Sequence, residues 1–109
     1  MSATANPAPP NPARGEAAIR VAGETLVLRP SFAALVAAEQ ELGPLFALVD
    51  RAAAGQLALA ELVTLFWHCR HDWPAAFTRE ALGEALVAAG LAGATPALHA
   101  LLRQVLAGR

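Results

Sequence analysis

The apolar pattern of this chain is interrupted at short intervals by residues that start or stop helices. Ser31 follows Pro30, Gly43 precedes Pro44, and Gly55, Thr78, Gly90 and the pair Thr95-Pro96 mark the rest. Ser and Thr accept hydrogen bonds from the unpaired N–H groups of a first turn, Gly takes the backbone past a last one, and Pro suits a first turn. Five short helices are therefore expected. The first runs from Ser31 to Gly43 with Phe32, Leu35, Val36 and Leu42 inward, and the second carries Leu45, Leu48, Val49 and Ala52. The third, over 59–70, aligns Leu59, Leu62, Val63 and Phe66, and 71–77 reads as a loop containing Pro74. Thr78 caps a fourth helix with Leu82, Ala85, Leu86 and Ala89 in line, and Leu98, Leu101, Leu102 and Val105 give the fifth its buried side.

Ahead of the helices, the pattern from Glu16 is strand-like. A two-residue turn at Gly23-Glu24, with Gly first, would set Val21 opposite Leu26 and Ile19 opposite Leu28, leaving Arg20 and Arg29 outward. One hairpin is marginal alone and must lie on helices. The expected fold is α+β and mostly helical, an N-terminal β-hairpin packed on about five short helices. Residues 1–13 hold four of the eight prolines and no large apolar side chain after Met1. The expected division is a flexible Pro/Ala-rich arm over 1–14 and one hairpin-plus-helices domain over 15–109.

Composition narrows the function. Of the 109 residues, 28 are alanine, so the 56% apolar content reduces to an ordinary core supply. A formal charge of -1 excludes the chain-wide basic field that holds nucleic acid or anionic lipid. No apolar run reaches the roughly 18 residues of a membrane span, and the first residues lack the form of a secretory signal. A single cysteine, Cys69, permits no intrachain disulfide and fits a reducing, cytoplasmic setting. Lys and Tyr are absent against eight Arg, a skew that follows GC-rich bacterial coding. Charged residues make up 16%, below the roughly 25% of a typical soluble domain, which an alanine-padded surface or a partner-covered one would explain.

Chemistry could reside in Trp67-His68-Cys69-Arg70-His71-Asp72-Trp73. His68 and His71 share a helix face, as do Cys69 and Asp72, but the two pairs are offset by about 100° around the axis, so one ion cannot easily take all four. His68 also points away from Cys69, which reads as a buried, inert thiol. A metal- or thiol-dependent enzyme using His68, Cys69 and His71 is thus the lesser alternative. No catalytic residue, cofactor or metal is expected. Glu39, Glu41, Glu80 and Glu84 read as solvated helix surface. Trp67, Trp73 and Phe77 are aromatics concentrated around one loop, where they either close the core or bind a partner.

The order of the segments is itself informative. Asn11-Pro12-Ala13-Arg14-Gly15-Glu16 precedes the hairpin, Leu28-Arg29-Pro30-Ser31-Phe32-Ala33-Ala34-Leu35 opens the first helix, and Leu42-Gly43 closes it. Phe77-Thr78-Arg79-Glu80-Ala81-Leu82-Gly83-Glu84-Ala85-Leu86 and Ala89-Gly90-Leu91 follow. From about Asn11 onward this resembles the small gene-transfer-agent and prophage family described as tail assembly chaperones and also labelled tail tube proteins. The resemblance implies a non-enzymatic chaperone that shields the tape-measure protein during tail assembly, or alternatively a structural component of the tail. Its partners would be the tape-measure protein or another tail protein, with no nucleic acid and no membrane, and with self-association open. It assigns no site residue, and the Trp67 to Trp73 stretch departs from the plainer loop expected in that family.

Overall fold

Ala22 and Gly23 both take left-handed backbone, at φ 52° and 76°, and turn β1 (Ala17–Val21) back into β2 (Glu24–Leu28). Left-handed φ at both central residues is the turn whose twist matches that of the flanking strands. The turn therefore lies one residue earlier than expected. Ile19 faces Leu26, Ala17 faces Leu28, and Val21 faces Glu24. This shifts the pairing by two residues, and a two-residue shift preserves the face. Ile19, Val21, Leu26 and Leu28 all remain buried. A computed structural model of the chain describes residues 16–107, so the expected arm over 1–14 lies outside the described residues.

Five helices follow: α1 (Phe32–Leu42), α2 (Leu45–Ala53), α3 (Leu59–His68), α4 (Arg79–Ala89) and α5 (Thr95–Ala107). Local chemistry sets their ends. Ser31 Oγ accepts the Ala34 N–H at 3.1 Å and Thr78 Oγ1 accepts that of Ala81 at 3.0 Å. Gly43 and Gly90 end α1 and α4 at φ 84° and 93°. At the start of α2 the Leu45 N–H donates to the Glu39 carboxylate at 3.0 Å, a bond from outside the helix to a first-turn donor. Glu61, in the first turn of α3, accepts the N–H of the preceding Ala58 at 2.9 Å and also pairs with Arg51, tying α3 to α2.

The fold class is as expected, with four local corrections. The third helix stops at His68, and Arg70–His71 forms a short strand, β3, pairing Leu28 with Arg70 and Val27 with His71. The Arg29 N–H donates to the Cys69 carbonyl at 2.6 Å, which draws the chain out of α3 toward β2. Phe32 is 85% exposed and Val36 points outward as well, because α1 turns Ala34, Leu35, Ala38 and Leu42 toward the core. Ala38 is fully buried, and its small side chain lets α1 lie against α3. Leu59 and Ala89 are exposed and do not join the core stripes of their helices. A short 3-10 turn over Leu91–Ala94 leads directly into α5, so Thr95 is already helical, at φ -60° and ψ -44°.

The sheet is antiparallel in the order β1-β2-β3. β1 rests on α4 and α5, and α3 packs between α1 and α4. Phe66 on α3 is fully buried among Leu28, Leu48, Leu82 and Leu86 of the same core. Burial of that ring contributes about 2–3 kcal/mol of hydrophobic stabilisation.

Candidate functional site

α3 is apolar on more than one side. Leu62, Leu65 and Phe66 face the core, while Leu59, Ala60 and Val63 line a groove between α3 and α4. The opposite wall comes from α4, where Leu82 and Leu86 turn inward and Gly83, Val87 and Ala88 turn to the groove. Gly83 forms part of the floor: a β-carbon built there would lie 3.6 Å from Val63 Cγ2, in ordinary contact. Glycine is therefore not required by a clash, and its effect is to leave the groove deeper. The groove is open to solvent and has a volume of about 880 Å³. Leu59 is 41% and Val87 56% exposed, so large apolar side chains face water along it. Glu80 and Glu84, one turn apart on α4, also line it.

A polar clamp is built beside this groove. Arg79, at the first turn of α4, donates to both carboxylate oxygens of Glu41, at 2.7 and 3.1 Å, and also to Thr64 Oγ1 on α3. His68 Nε2 meets the same Glu41 carboxylate, and the Thr64 hydroxyl donates to the Ala60 carbonyl at 2.8 Å. Arg79 and then His68 hold the Glu41 carboxyl at about 2, against an ordinary 4.5, and Glu41 in turn raises the Arg79 guanidinium. The two-pronged geometry gives direction as well as attraction. It fixes the end of α1, the middle and end of α3 and the start of α4 relative to one another, and Thr64 and Arg79 of the clamp themselves line the groove.

The aromatic residues singled out in the sequence come together elsewhere. The Trp67 and Trp73 rings meet edge to face at 6.2 Å between centroids, and Trp73 and Phe77 at 6.3 Å. All three pack partly buried against the core. The Trp73 indole N–H donates to the Val27 carbonyl at 2.7 Å, and the Arg70 guanidinium lies 3.8 Å from the centre of the Trp67 ring. With Asp72, Pro74 and Ala75 they line a second concavity of about 400 Å³.

His68, Cys69 and His71 are sent to separate partners. His68 sits on Glu41, His71 Nε2 lies 3.4 Å from the Asp72 carboxylate, and Cys69 is fully buried. Burial pushes the Cys69 thiol up to about 12, against the thiolate that nucleophilic chemistry needs. Among the described residues no three of His, Cys, Asp or Glu gather as a metal-binding group, and no single helix is long and apolar enough to cross a membrane.

Sequence reasoning missed the groove and the clamp. Spacing alone places Leu59 in the same buried stripe as Leu62, Val63 and Phe66, and Glu41 on solvated surface, whereas Leu59 is exposed, Val63 is half-buried and Glu41 is clamped. A signal was present in Leu-Ala-Glu-Leu-Val-Thr-Leu-Phe-Trp-His over 59–68, which carries more apolar residues than one core-facing stripe can use. Gly83 inside an otherwise regular helix was a second. Nothing local joins Glu41 to Arg79, which lie 38 residues apart.

Residues 14–108 match the family described as "Phage tail tube protein, GTA-gp10". No curated protein and no solved structure matches the chain.

Proposed function

We propose that this chain, which belongs to the phage tail tube protein, GTA-gp10 family, is a non-enzymatic structural component of a phage-like, gene-transfer-agent tail that engages other tail proteins through the α3–α4 groove. The family match over residues 14–108 carries the reading, and its description favours a component of the tail over a chaperone. The groove supplies the physical means. Its exposed Leu59 and Val87 gain free energy when an apolar face covers them, and an apolar groove between two helices suits an amphipathic helix. The concavity beside Trp67, Trp73 and Phe77 is a second candidate contact. A non-enzymatic role is supported by the buried, high-pKa thiol of Cys69 and by the separate partners of His68 and His71.

The second reading, a chaperone that shields the tape-measure protein, draws on the same groove, because an open apolar trough suits reversible capture of a helix. The two readings differ in where the chain ends up. Mass spectrometry of purified particles decides between them. Stoichiometric presence supports the component reading. Absence from finished particles, with co-purification and solubilisation of the tape-measure protein in cells, replaces it with the chaperone reading.

A further inference from the structure

We propose that the α3–α4 groove receives α5 of a second copy of this chain, with Arg103 of one copy facing Glu80 and Glu84 of the next. The proposal rests on the reading of the groove as a protein-docking surface and names its occupant.

Charge supports this choice. Among the described residues, Arg20, Arg29, Arg51, Arg70 and Arg79 each have a hydroxyl, carboxylate or aromatic partner within the chain, and Arg103 has none. Glu80 and Glu84 likewise carry no ion pair or hydrogen bond among the described residues, although both line the groove. Glu24 and Asp50 are unpaired as well among the described residues, but Glu80 and Glu84 are the unpaired carboxylates that line the groove, on α4, while the unpaired Arg103 is on α5. Apolar exposure follows the same division. Leu106, three residues after Arg103 and so on the same side of α5, is 55% exposed, and Val87, three residues after Glu84, is 56% exposed. Each surface presents a charge with a large apolar side chain one turn further along, and the charges are opposite.

The walls can take this helix. α5 is 13 residues long and α4, the acidic wall, is 11, so the two can lie along one another for about three turns. Gly83 puts no side chain of its own into the groove. With a formal charge of -1 per chain, copies do not repel strongly as they approach. Since donor helix and receiving groove are different surfaces, the contact is head-to-tail and leads to a ring or an open chain of copies.

Sedimentation equilibrium on the full chain tests this, with thermal unfolding of each variant as a check on folding. The wild-type chain is expected to self-associate with a dissociation constant between about 10 μM and 1 mM. Arg103→Glu and Glu84→Arg should each weaken association at least about ten-fold, because each places like charges in contact. The double variant carrying both should restore it to within about three-fold. Leu106→Asp, at an exposed position, should abolish it with the unfolding midpoint unchanged. A wild-type chain that stays monomeric at about 1 mM overturns the proposal. So does association unaffected by Arg103→Glu, which would mean that another segment fills the groove, and so does failure of the charge swap to rescue. A monomeric chain still present in particles would sink this inference alone. A self-associating chain absent from particles would sink the component reading and leave this one standing.

Discussion

Arg79 grips both carboxylate oxygens of Glu41, at 2.7 and 3.1 Å, and so ties the first turn of α4 to the last turn of α1. A carboxyl held at about 2 when folded and near 4.5 when unfolded stabilises the fold above the higher value. That contribution is lost as pH falls from 4.5 toward about 2. Thermal midpoints measured across this range should therefore fall more steeply for the wild-type chain than for Glu41→Gln, which has no carboxyl to titrate. Parallel curves would mean that the clamp adds nothing to stability.

The hairpin turn offers a second measurement. Ala22 sits at φ 52°, where its β-carbon is crowded, while Gly23 at 76° is not penalised. Asn tolerates this backbone better, and Asn-Gly is the preferred pair for such a turn. Ala22→Asn should raise stability by about 0.5–1 kcal/mol, a gain of a few degrees in the unfolding midpoint. An unchanged or lowered midpoint would show that the strain is relieved in another way.

These two sites also show what the sequence could and could not disclose. Helix starts at Ser31 and Thr78 and stops at Gly43 and Gly90 were legible, because a cap is a contact between residues three apart or a backbone angle at one residue. The hairpin was legible as a hairpin, yet its turn was not, since Ala22-Gly23 and Gly23-Glu24 both place a glycine in a tight turn. Only pairing across the whole ladder separates them. β3 is two residues long, too short to show any alternation, and its partner β2 is distant in sequence. The outward turn of Phe32 depends on how closely Ala38 lets α1 approach α3, which no periodicity in α1 encodes. The groove was hidden for the opposite reason. Leu59 and Val63 are core-type residues at core-type spacing, and only packing reveals that Leu59 is exposed and Val63 half-buried, with the exposed Val87 across from them.

The aromatic loop calls for a variant that separates folding from contact. Trp73→Ala removes a half-buried ring and leaves the Val27 carbonyl without its 2.7 Å donor. The expected loss is about 3 kcal/mol, against about 1 kcal/mol for Trp73→Phe, which keeps most of the packing. Denaturant unfolding measures both. If Trp73→Ala instead leaves stability intact and removes the chain from particles, the ring belongs to an interface and not to the fold.

Cys69 should be inert while the protein is folded. Its thiol is fully buried and pushed up to about 12, so little thiolate exists near neutral pH. A thiol reagent added in excess should label it only as fast as the chain opens, and denaturant should make labelling immediate. Chelator should leave the unfolding midpoint unchanged, since His68 and His71 hold Glu41 and Asp72 respectively. Rapid labelling of the folded chain, or a midpoint that falls on chelation and recovers with zinc, would reopen the metal- or thiol-dependent reading.

Gly83 brings stability and groove into opposition, which makes it the most discriminating position. Within a helix, glycine costs about 1 kcal/mol relative to alanine through the freedom it loses on folding. A methyl group added at Gly83 meets Val63 Cγ2 at 3.6 Å, a distance that needs no rearrangement. Gly83→Ala should therefore stabilise the chain by about 0.5–1 kcal/mol. The same methyl stands in the floor of the groove, where a docked side chain would otherwise enter. If the groove is the contact surface, the more stable variant should associate less well and enter particles less well, and Gly83→Val should exaggerate the second effect. Unfolding midpoints and particle incorporation measured on the same variants read the two effects separately. Incorporation that rises with stability, or does not change at all, would mean that the tail contact lies on another face of the molecule.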